Sequence, residues 1–378
     1  MQRNKTLLMV ANVDWIFIAH RLPIAKHAIK QGFRVVVVSK DSGRSSEITD
    51  AGMEFVDVPI SRSGVNPITE LVLLFKMFML YRKINPSVIY QVTLKPVIYG
   101  SLIAKLLKIP TVNAISGLGY NFTGERQGYV QTQMIRLMRL GFSKVKNHLI
   151  FENKDDFNEL NGLGIIAAKN KTTIIKGVGV DLIGNPYTQP IKKDRVVVLL
   201  ATRMLWDKGV KEFVEAANLL YDTYKDTVCF KLCGKIDIGN PESVPEEFLE
   251  SIYIKDYLFW DGYSETIFEE YKKSDIVVLP SYREGMPTVL IEASAIGRPL
   301  ITTDAIGCRE CVIEAWNGFK VPVKSVEELA TSIEKLILDE DLRLEMGRNS
   351  RLKAEKEYSQ KEVVKKHVGI CESMLHKK

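Results

Sequence analysis

The chain has 378 residues, 46% of them hydrophobic and 26% charged, a composition that excludes a disordered protein and a length that exceeds one ordinary core. Five cysteines, an odd number, favour thiols in a reducing compartment over a disulfide framework. The net charge of +6 is uneven, because residues 1–185 hold 24 Lys/Arg and 13 Asp/Glu, a net charge of +11, which leaves −5 for the rest. We therefore expect two domains, the first with an anionic partner such as a membrane face or a nucleic acid.

Strand and helix patterns alternate from the first residues onward. Apolar, β-branched runs predict strands at TLLMVAN, FRVVVVSK, MEFVDVPI, SVIYQVT, IPTVNAIS and NHLIFEN. A helical pattern closed by Gly32 separates the first two, and an apolar helix is predicted from Pro67 to Lys83. Such alternation is typical of parallel strands that are covered on both faces.

A basic zone lies within this first half. Between Arg62 and Lys146 there are 12 basic residues and only two acidic ones, Glu70 and Glu125. LVLLFKMFMLYRK and GYVQTQMIRLMRLGFSKVKNH mix apolar residues with Lys and Arg at helical spacing, which suits an anionic leaflet. The alternative, a plain core helix over 71–80, stays open. The apolar segment is too short to cross a bilayer, and we expect no signal peptide.

The same alternation restarts after GNPYTQPIKKD, a linker rich in Pro, Gly and Lys. Strands are predicted at RVVVLLAT, VCFKLCG, IVVLPS and RPLITT. Helices are predicted near 208–224, 264–274 and 287–297. The predicted fold class is α/β, with two doubly wound domains at 1–187 and 188–357 and a C-terminal helix over 358–378. Such sheets bind ligands outside the carboxyl ends of their strands.

The loop after IVVLP carries the first candidate site, in SYREGMPTVLIEASA. Pro287 suits the first turn of a helix. Thr288, Val289 and Leu290 would then offer backbone N–H groups to an anion at the positive end of the helix dipole. Gly285 would let a ligand approach the backbone closely. The loop therefore predicts an anion-binding site.

Charged side chains surround that loop. Glu284 lies at its mouth, near a reacting group, and Glu292 lies one to two turns into the helix, where its carboxylate can accept hydrogen bonds from ribose-type hydroxyls. The alternative is a surface glutamate before an ordinary helix, which the strand–loop–helix context disfavours. A second loop, in ATRMLWDKGVKEF, places Arg203 and Lys208 just past a strand. We interpret these two cations as a diphosphate clamp rather than as solvated side chains.

TRMLWDKGVKEF and LPSYREGMPTVLIEASAIGRPLITTD together resemble the donor site of retaining GT-B glycosyltransferases of family 4, and the likeness extends over nearly the whole chain. It is strongest to bacterial enzymes that add N-acetylgalactosamine or a similar sugar to an undecaprenyl-diphosphate-linked saccharide. The resemblance implies that Arg203 and Lys208 bind the nucleotide diphosphate and that Glu292 holds the ribose. It assigns contact with the donor sugar and phosphates to Glu284, Gly285, Met286, Pro287, Thr288, Val289 and Leu290.

The same resemblance places the acceptor on the first domain, across a cleft from the donor. Many members of the family have a Gly-Gly turn after the first strand, where this chain has NVDWIFIAHRLPI. His20 and Arg21 are therefore candidate acceptor contacts, with His20 as a proton acceptor or, alternatively, a structural histidine. NAISGLGYNFTG adds Gly117 and Gly119 at a strand end. The basic apolar helices could receive a polyprenyl diphosphate.

The resemblance implies transfer of a sugar from a UDP-sugar, with retention, to a polyprenyl-diphosphate-linked saccharide in surface-polysaccharide or glycoprotein assembly. The expected location is peripheral, on the inner face of the bacterial plasma membrane, and the expected sugar is N-acetylgalactosamine. UDP-galactose, UDP-N-acetylglucosamine and GDP-mannose stay open as donors. The candidate catalytic residues are Glu284, Arg203, Lys208 and His20. No cofactor or metal is expected, since Asp339–Asp341 suits a solvated turn and Cys308 and Cys311 would make half a zinc site.

Two rival functions use the same residues. A nucleotide-sugar epimerase of similar shape would need carboxylates and histidines around its cleft, and the five histidines of the chain supply few. A non-catalytic nucleic-acid-binding protein would use the basic zone. That rival leaves the loop with the two glutamates unexplained, so no nucleic-acid partner is expected.

Overall fold

The computed structural model describes residues 5–60, 66–118, 128–143, 146–191 and 193–375. Its contacts divide the chain into two compact units. Unit 1 comprises Met1–Val178 and Lys361–Lys378, and unit 2 comprises Gly179–Gln360. No helix in these ranges is both long enough and apolar enough to span a membrane.

Unit 1 contains a seven-stranded parallel sheet in the order β3-β2-β1-β4-β5-β6-β7. Its strands are β1 (Lys5–Val13), β2 (Phe33–Lys40), β3 (Glu54–Asp57), β4 (Val88–Val92), β5 (Thr111–Ile115), β6 (Asn147–Phe151) and β7 (Lys171–Ile174). Its first helices are α1 (Asp14–His20), α2 (Leu22–Lys30), α3 (Ser45–Asp50), α4 (Pro67–Ile84), α5 (Leu94–Leu107), α6 (Tyr129–Phe142) and α7 (Lys154–Gly162).

The apolar strands of unit 1 are buried on both faces of the sheet. In β1, Leu7 and Met9 pack into the core formed with α1, α2 and α3. The alternate residues Leu8 and Val10 pack into a different core, formed with α4 and α5. This explains why β1 reads as an uninterrupted hydrophobic run rather than as an alternating one.

Unit 2 contains a six-stranded parallel sheet in the order β10-β9-β8-β11-β12-β13. Its strands are β8 (Val196–Ala201), β9 (Val228–Cys233), β10 (Leu258–Trp260), β11 (Ile276–Leu279), β12 (Leu300–Thr303) and β13 (Gly318–Val321). Its helices are α8 (Val210–Tyr224), α9 (Glu246–Ser251), α10 (Ile267–Lys273), α11 (Thr288–Ile296), α12 (Val326–Leu338) and α13 (Glu340–Glu357). The predicted fold class, two doubly wound α/β domains, is confirmed.

The last helix, α14 (Gln360–Leu375), packs its Val363, Val364 and Val368 into the same core of unit 1 as Leu7 of β1. Its His367 Nδ1 lies 3.0 Å from the Tyr90 hydroxyl, inside that unit. Burial, with a smaller contribution from the Arg21 cation, lowers the pKa of His367 to about 3. The imidazole is therefore neutral near pH 7.

Each sheet has a switch point, where the chain changes the direction in which it adds strands. In unit 1 this point lies between β1 and β4, and in unit 2 it lies between β8 and β11. The helices that follow two such strands pack on opposite faces of the sheet, and a crevice forms at the carboxyl ends of the strands. These two places are where a ligand site is expected.

Candidate functional site

The loops that follow β8 and β11 meet at the switch point of unit 2. The Tyr282 N–H donates to the Asp207 carbonyl over 2.9 Å, and the Ser281 hydroxyl oxygen lies 3.1 Å from the same carbonyl oxygen. The Tyr282 hydroxyl donates to a Glu212 carboxylate oxygen in the first turn of α8, over 2.6 Å. The two loops that the sequence singled out are thus joined to each other by hydrogen bonds.

Two glycines permit this close approach. Gly209 has φ +75°, and a Cβ at this position would lie 2.3 Å from the Pro280 carbonyl oxygen. Gly307, which follows β12, has φ +79°, and its Cβ would lie 2.3 Å from the Glu284 carbonyl oxygen. The Glu284 N–H in turn donates to the Ile306 carbonyl over 2.9 Å. The position of Glu284 therefore depends on close backbone contacts, which any residue larger than glycine at position 209 or 307 would disrupt.

Lys208 and Glu284 form an ion pair inside this loop cluster. The Lys208 Nζ lies 2.7 Å from the Glu284 Oε1, and the two side chains are only 10% and 19% exposed. The Ser281 hydroxyl donates to the same carboxylate oxygen over 3.0 Å. Burial acts to lower the pKa of Lys208, but the carboxylates of Glu284 and Asp207 outweigh it, and the pKa is raised. Lys208 is therefore a fixed cation.

Arg203 is exposed and pairs with an acid that sequence reasoning missed. Its Nη1 lies 2.6 Å from the Asp237 Oδ2, in the irregular segment that follows β9. Arg203 is also close enough to Lys208 that its charge acts to lower the pKa of that lysine. The two cations of the predicted clamp are therefore near neighbours. The one signal in the sequence was the place of Asp237 after β9, the strand next to β8, and that place does not by itself identify it as the partner of Arg203.

Helix α11 begins at Thr288, with Pro287 as its N-cap residue rather than inside its first turn. The prediction that the Leu290 N–H is free is wrong. The helix begins with a tight turn, in which this N–H donates to the Pro287 carbonyl over 3.1 Å. Among the described residues, no acceptor is seen for the N–H groups of Thr288 and Val289. These two are the groups that helix α11 can offer to an anion.

Glu292 lies in the second turn of α11. Its Oε2 accepts a hydrogen bond from the Tyr271 hydroxyl over 3.1 Å, and Tyr271 is itself fully buried in α10. Burial raises the pKa of Glu292 to about 7, although the hydrogen bond from Tyr271 acts to lower it. A carboxylic acid that titrates near neutral pH beside an anion site is typical of functional sites. Tyr271 was not singled out from the sequence, because it lies on a separate helix.

The predicted acceptor residues of unit 1 lie after β1. His20 is the last residue of α1, and Arg21 links α1 to α2. The Arg21 guanidinium is buried, with Nη2 3.4 Å from Glu152 Oε1 and Nη1 donating to the His20 carbonyl over 3.2 Å. This burial favours a structural role for Arg21. Acceptor contact by either residue, and proton transfer to His20, stay predictions.

The remaining acceptor candidates are glycines. Gly117 follows β5 with φ +84°, a conformation that a residue with a side chain rarely adopts. Gly119 lies outside the described residues. The structure does not test contact between Gly117 and an acceptor.

Three polar residues at the switch point of unit 1 were missed. The Thr93 hydroxyl, just after β4, donates to the Asn12 Oδ1 at the end of β1 over 2.7 Å. Thr93 has φ +69°, which is strained for a β-branched residue and is the kind of strain found at functional sites. Asp14 is buried and accepts hydrogen bonds from the Ser42 and Arg44 N–H groups. Their places at the carboxyl ends of β1 and β4 were the available signal.

The described residues contain no group of three or more His, Cys, Asp and Glu side chains that could hold a metal ion. Cys308 and Cys311 are buried, and burial raises the pKa of the Cys308 thiol to about 12. Asp339 caps α13, where its carboxylate accepts the Leu342 N–H over 2.9 Å. That the protein works without a metal or cofactor stays a prediction.

The site in unit 2 therefore combines two kinds of group. Arg203, Lys208 and the amino end of α11 supply positive charge, which is suited to an anion such as a diphosphate. Glu284 and Glu292 supply carboxylate oxygens, which accept hydrogen bonds from hydroxyl groups. A ligand that joins a nucleoside diphosphate to a sugar would satisfy both sets.

Family comparisons match both halves of the chain. The model described as "Glycosyl transferases group 1" matches residues 186–353, which include the whole candidate site of unit 2. The model described as "Glycosyl transferase 4-like" matches residues 6–153 of unit 1.

Individual proteins are similar along most of their length. The chain is 32% identical over 345 residues to the N,N'-diacetylbacillosaminyl-diphospho-undecaprenol alpha-1,3-N-acetylgalactosaminyltransferase of Campylobacter jejuni, covering 87% of this chain and 89% of that protein. It is 22% identical over 333 residues to the UDP-Gal:alpha-D-GlcNAc-diphosphoundecaprenol alpha-1,3-galactosyltransferase of Escherichia coli, covering 85% and 84%. Anabaena HepE, solved with UDP and glucose, has a TM-score of 0.79 at 18% identity over 98% of this chain and 100% of that one, a likeness of fold alone.

Proposed function

The chain belongs to the group 1 glycosyltransferases, with the 4-like N-terminal domain and the GT-B fold, and on that premise we propose that it transfers a sugar from a UDP-sugar to a saccharide carried on undecaprenyl diphosphate. The observation that carries the proposal is the Lys208–Glu284 pair, held beside Arg203 and the amino end of α11. N-acetylgalactosamine is the proposed sugar, because the Campylobacter relative is named for its transfer. Galactose is the second candidate, because the Escherichia coli relative is named for that transfer.

In this proposal the two cations bind the donor diphosphate in different ways. Arg203 is exposed, and a surface ion pair such as that with Asp237 is worth only about 0–1 kcal/mol, so Arg203 can exchange Asp237 for a phosphate oxygen at little cost. Lys208 is held by Glu284 and stays in place. A mobile cation would therefore capture the diphosphate, and a fixed cation would orient it.

The rest of the donor is divided between the loop and the helix. The N–H groups of Thr288 and Val289 donate hydrogen bonds to phosphate oxygens at the positive end of α11. Glu292 accepts hydrogen bonds from the ribose hydroxyls. Glu284 contacts the donor sugar, together with the backbone of Gly285, Met286 and Pro287 in the loop.

The proposed chemistry needs no nucleophile from the protein. The bond between the sugar and the β-phosphate breaks, and Arg203, Lys208 and the dipole of α11 stabilise the charge that develops on the departing UDP. The acceptor hydroxyl attacks from the leaving-group face, which retains the anomeric configuration. His20 is the proposed residue that accepts the hydroxyl proton. These cations carry the role that a divalent metal has in other transferases, so no cofactor is required.

The proposed setting is the assembly of a surface polysaccharide or a glycoprotein. The acceptor is anchored in the membrane by its polyprenyl chain, so the enzyme would work as a peripheral protein on the inner face of the bacterial plasma membrane. The basic first half of the chain, with a net charge of +11 over residues 1–185, would favour an anionic lipid surface.

A thermal-shift panel with UDP, GDP, ADP and CMP tests the donor site. A ligand that binds only the folded state stabilises it by about 2.7 kcal/mol at a hundredfold excess over Kd, so UDP should raise Tm by several degrees. Arg203→Ala should remove that shift, and Arg348→Ala, at an exposed arginine of α13, should keep it. A larger shift with GDP would change the donor, and no shift with any nucleotide would overturn the proposed donor site.

A transfer assay then tests the acceptor. UDP-N-acetylgalactosamine should glycosylate a short polyprenyl-diphosphate-linked saccharide, and nuclear magnetic resonance of the product reads the anomeric configuration. An inverted product would reject retention. Transfer from UDP-galactose alone would replace the proposed sugar with the second candidate.

A further inference from the structure

Helix α4 leaves a row of large apolar side chains exposed. Ile68 is 75% exposed, Leu71 is 69% exposed and Phe75 is 65% exposed, and Val72 and Met79 are also on the surface. The spacing of three, four and seven residues places them on one face of the helix. From Ile68 to Met79 this row is about 16 Å long, at about 1.5 Å per residue. An apolar strip of this kind on a folded surface is typical of an interaction site.

The opposite side of α4 accounts for its role in the fold. Leu73, Met77 and Tyr81 are buried in the core that packs against β1 and β2. The alternative of a plain core helix, left open by the sequence, therefore explains only this side. The exposed row adds nothing to that core, so another reason is needed for five large apolar residues in contact with water.

The neighbouring helices extend the exposed apolar surface. Helix α5 packs against both α4 and α6. On the surface, α5 exposes Leu106, and α6 exposes Tyr129, Val130 and Leu140. In unit 2 the exposed leucines are isolated instead, such as Leu338 at the end of α12 and Leu352 in α13. We call the surface formed by α4, α5 and α6 the helical face of unit 1.

The charge on the helical face has a single sign. Exposed basic residues lie on two of the three helices and directly after the third: Lys76, Arg82 and Lys83 on α4, Arg136 and Arg139 on α6, and Lys108 after α5. The only acidic residue within α4, α5 and α6 is Glu70, and its carboxylate is 2.7 Å from Lys95 Nζ. The face therefore carries unneutralised positive charge beside apolar side chains.

We propose that the helical face of unit 1 lies on an anionic lipid bilayer, with the Ile68–Met79 row inserted among the acyl chains and the basic residues at the level of the head groups. Apolar side chains on one side of a surface helix, with Lys and Arg around them, match the chemistry of that interface. The absence of any unpaired acid on the described helices favours an anionic surface over a second copy of the same basic face. The inference rests on the proposed peripheral location, and it assigns the contact to one surface.

Co-sedimentation of the full chain with lipid vesicles tests the proposal. One set of vesicles is phosphatidylcholine alone, and the other is phosphatidylcholine mixed with phosphatidylglycerol. The wild type should bind the anionic set, and added salt should weaken binding. The double variant Leu71→Gln with Phe75→Gln should lose at least tenfold in partitioning. Arg82→Gln with Lys83→Gln should lose about fivefold per charge, from about 1 kcal/mol for each basic residue near such a surface.

A matched control separates insertion from a general loss of surface hydrophobicity. Leu338→Gln with Leu352→Gln removes two comparably exposed leucines from helices of unit 2, and it should bind vesicles like the wild type. All variants should keep the wild-type Tm and the UDP-induced shift in Tm, which shows that they are folded.

Three outcomes would overturn the proposal. If the Leu71/Phe75 double variant partitions like the wild type, the bilayer does not contact α4, although the peripheral location survives. If the wild type binds neither set of vesicles, the proposed peripheral location is wrong as well. If the wild type is instead a dimer in solution that the double variant converts to a monomer, the face joins copies of this chain. None of these results bears on the donor site, which the nucleotide panel tests separately.

Discussion

The charged residues of the two units are arranged in opposite ways. At the switch point of unit 2 each cation has an acid beside it, since Lys208 pairs with Glu284 and Arg203 pairs with Asp237. On the helical face of unit 1 the basic residues outnumber a single acid, Glu70, and stand beside exposed apolar side chains. Both regions are suited to anions, and we propose a small ligand for the first and an extended lipid surface for the second.

This difference teaches what each kind of recognition requires. A small ligand must be held in one geometry, so its cations are positioned beforehand by carboxylates, hydroxyls and close backbone contacts. A lipid surface has no fixed geometry, so unpaired charge and exposed apolar area are sufficient. The pairs should therefore be sensitive to single substitutions, and the helical face should respond only to its total charge and apolar area.

The largest expected effect comes from breaking the Lys208–Glu284 pair. Lys208→Met or Glu284→Gln should lower the rate of sugar transfer by about 10²–10³, the usual cost of losing one preorganised electrostatic contact. Each change should also lower the free energy of unfolding by up to about 3 kcal/mol, because it leaves a largely buried charge without its partner. A transfer assay and chemical denaturation measure the two effects.

The double variant Lys208→Met with Glu284→Gln separates chemistry from folding. It removes both charges, so stability should largely return while transfer stays low. Recovery of transfer in the double variant would mean that the pair is only structural. Lys353→Met with Glu357→Gln is the matched control, since that pair lies within α13, outside the site, with a 3.0 Å separation and side chains that are 5% and 25% exposed, and it should keep transfer.

A second, smaller effect compares the two sides of α4. Leu73→Ala removes a side chain from the core and should lower the free energy of unfolding by about 2–4 kcal/mol. Leu71→Ala truncates an exposed side chain two positions away and should change it by less than about 0.5 kcal/mol. Denaturant unfolding of both variants gives the comparison. Equal losses would show that the outer side of α4 packs on protein after all.

The sequence was sufficient to predict the strands that are buried on both faces. The predicted β2, Phe33–Lys40, agrees with the structure because the four consecutive valines at its centre, Val35–Val38, are all buried. The strands β7, β10 and β13 were not predicted. They are three or four residues long, and Lys171–Ile174 of β7 is mostly exposed, so hydrophobic pattern gives little signal there.

The candidate site was predictable as a place but not as a set of contacts. Strand order brings the loops after β8 and β11 to one point, and that could be read from the alternation of strands and helices. The partners of the predicted residues could not be. Asp237 lies in an irregular loop and Tyr271 on another helix, and only the folded path of the chain brings them to Arg203 and Glu292.

The smallest expected effect is a pH dependence of nucleotide binding through Glu292. Burial raises the pKa of this carboxyl to about 7, so it is mostly protonated below that pH. If ribose hydroxyls donate to Glu292, UDP should bind the ionised form more tightly, because a carboxylate is a stronger acceptor than a neutral carboxyl group. Affinity should then rise with pH up to about 7, by at most about tenfold per unit for one released proton, and level off above it. Calorimetric titration with UDP between pH 5.5 and 8.5 — roughly the span over which a single such group titrates — measures this slope.

The terminal phosphate of UDP also loses a proton in this pH range, near pH 6 by analogy with phosphate monoesters. Glu292→Gln supplies the baseline for that ligand titration, because the amide does not titrate. A slope that is the same in the variant and the wild type would remove Glu292 from the ribose site and leave it as a buried partner of Tyr271.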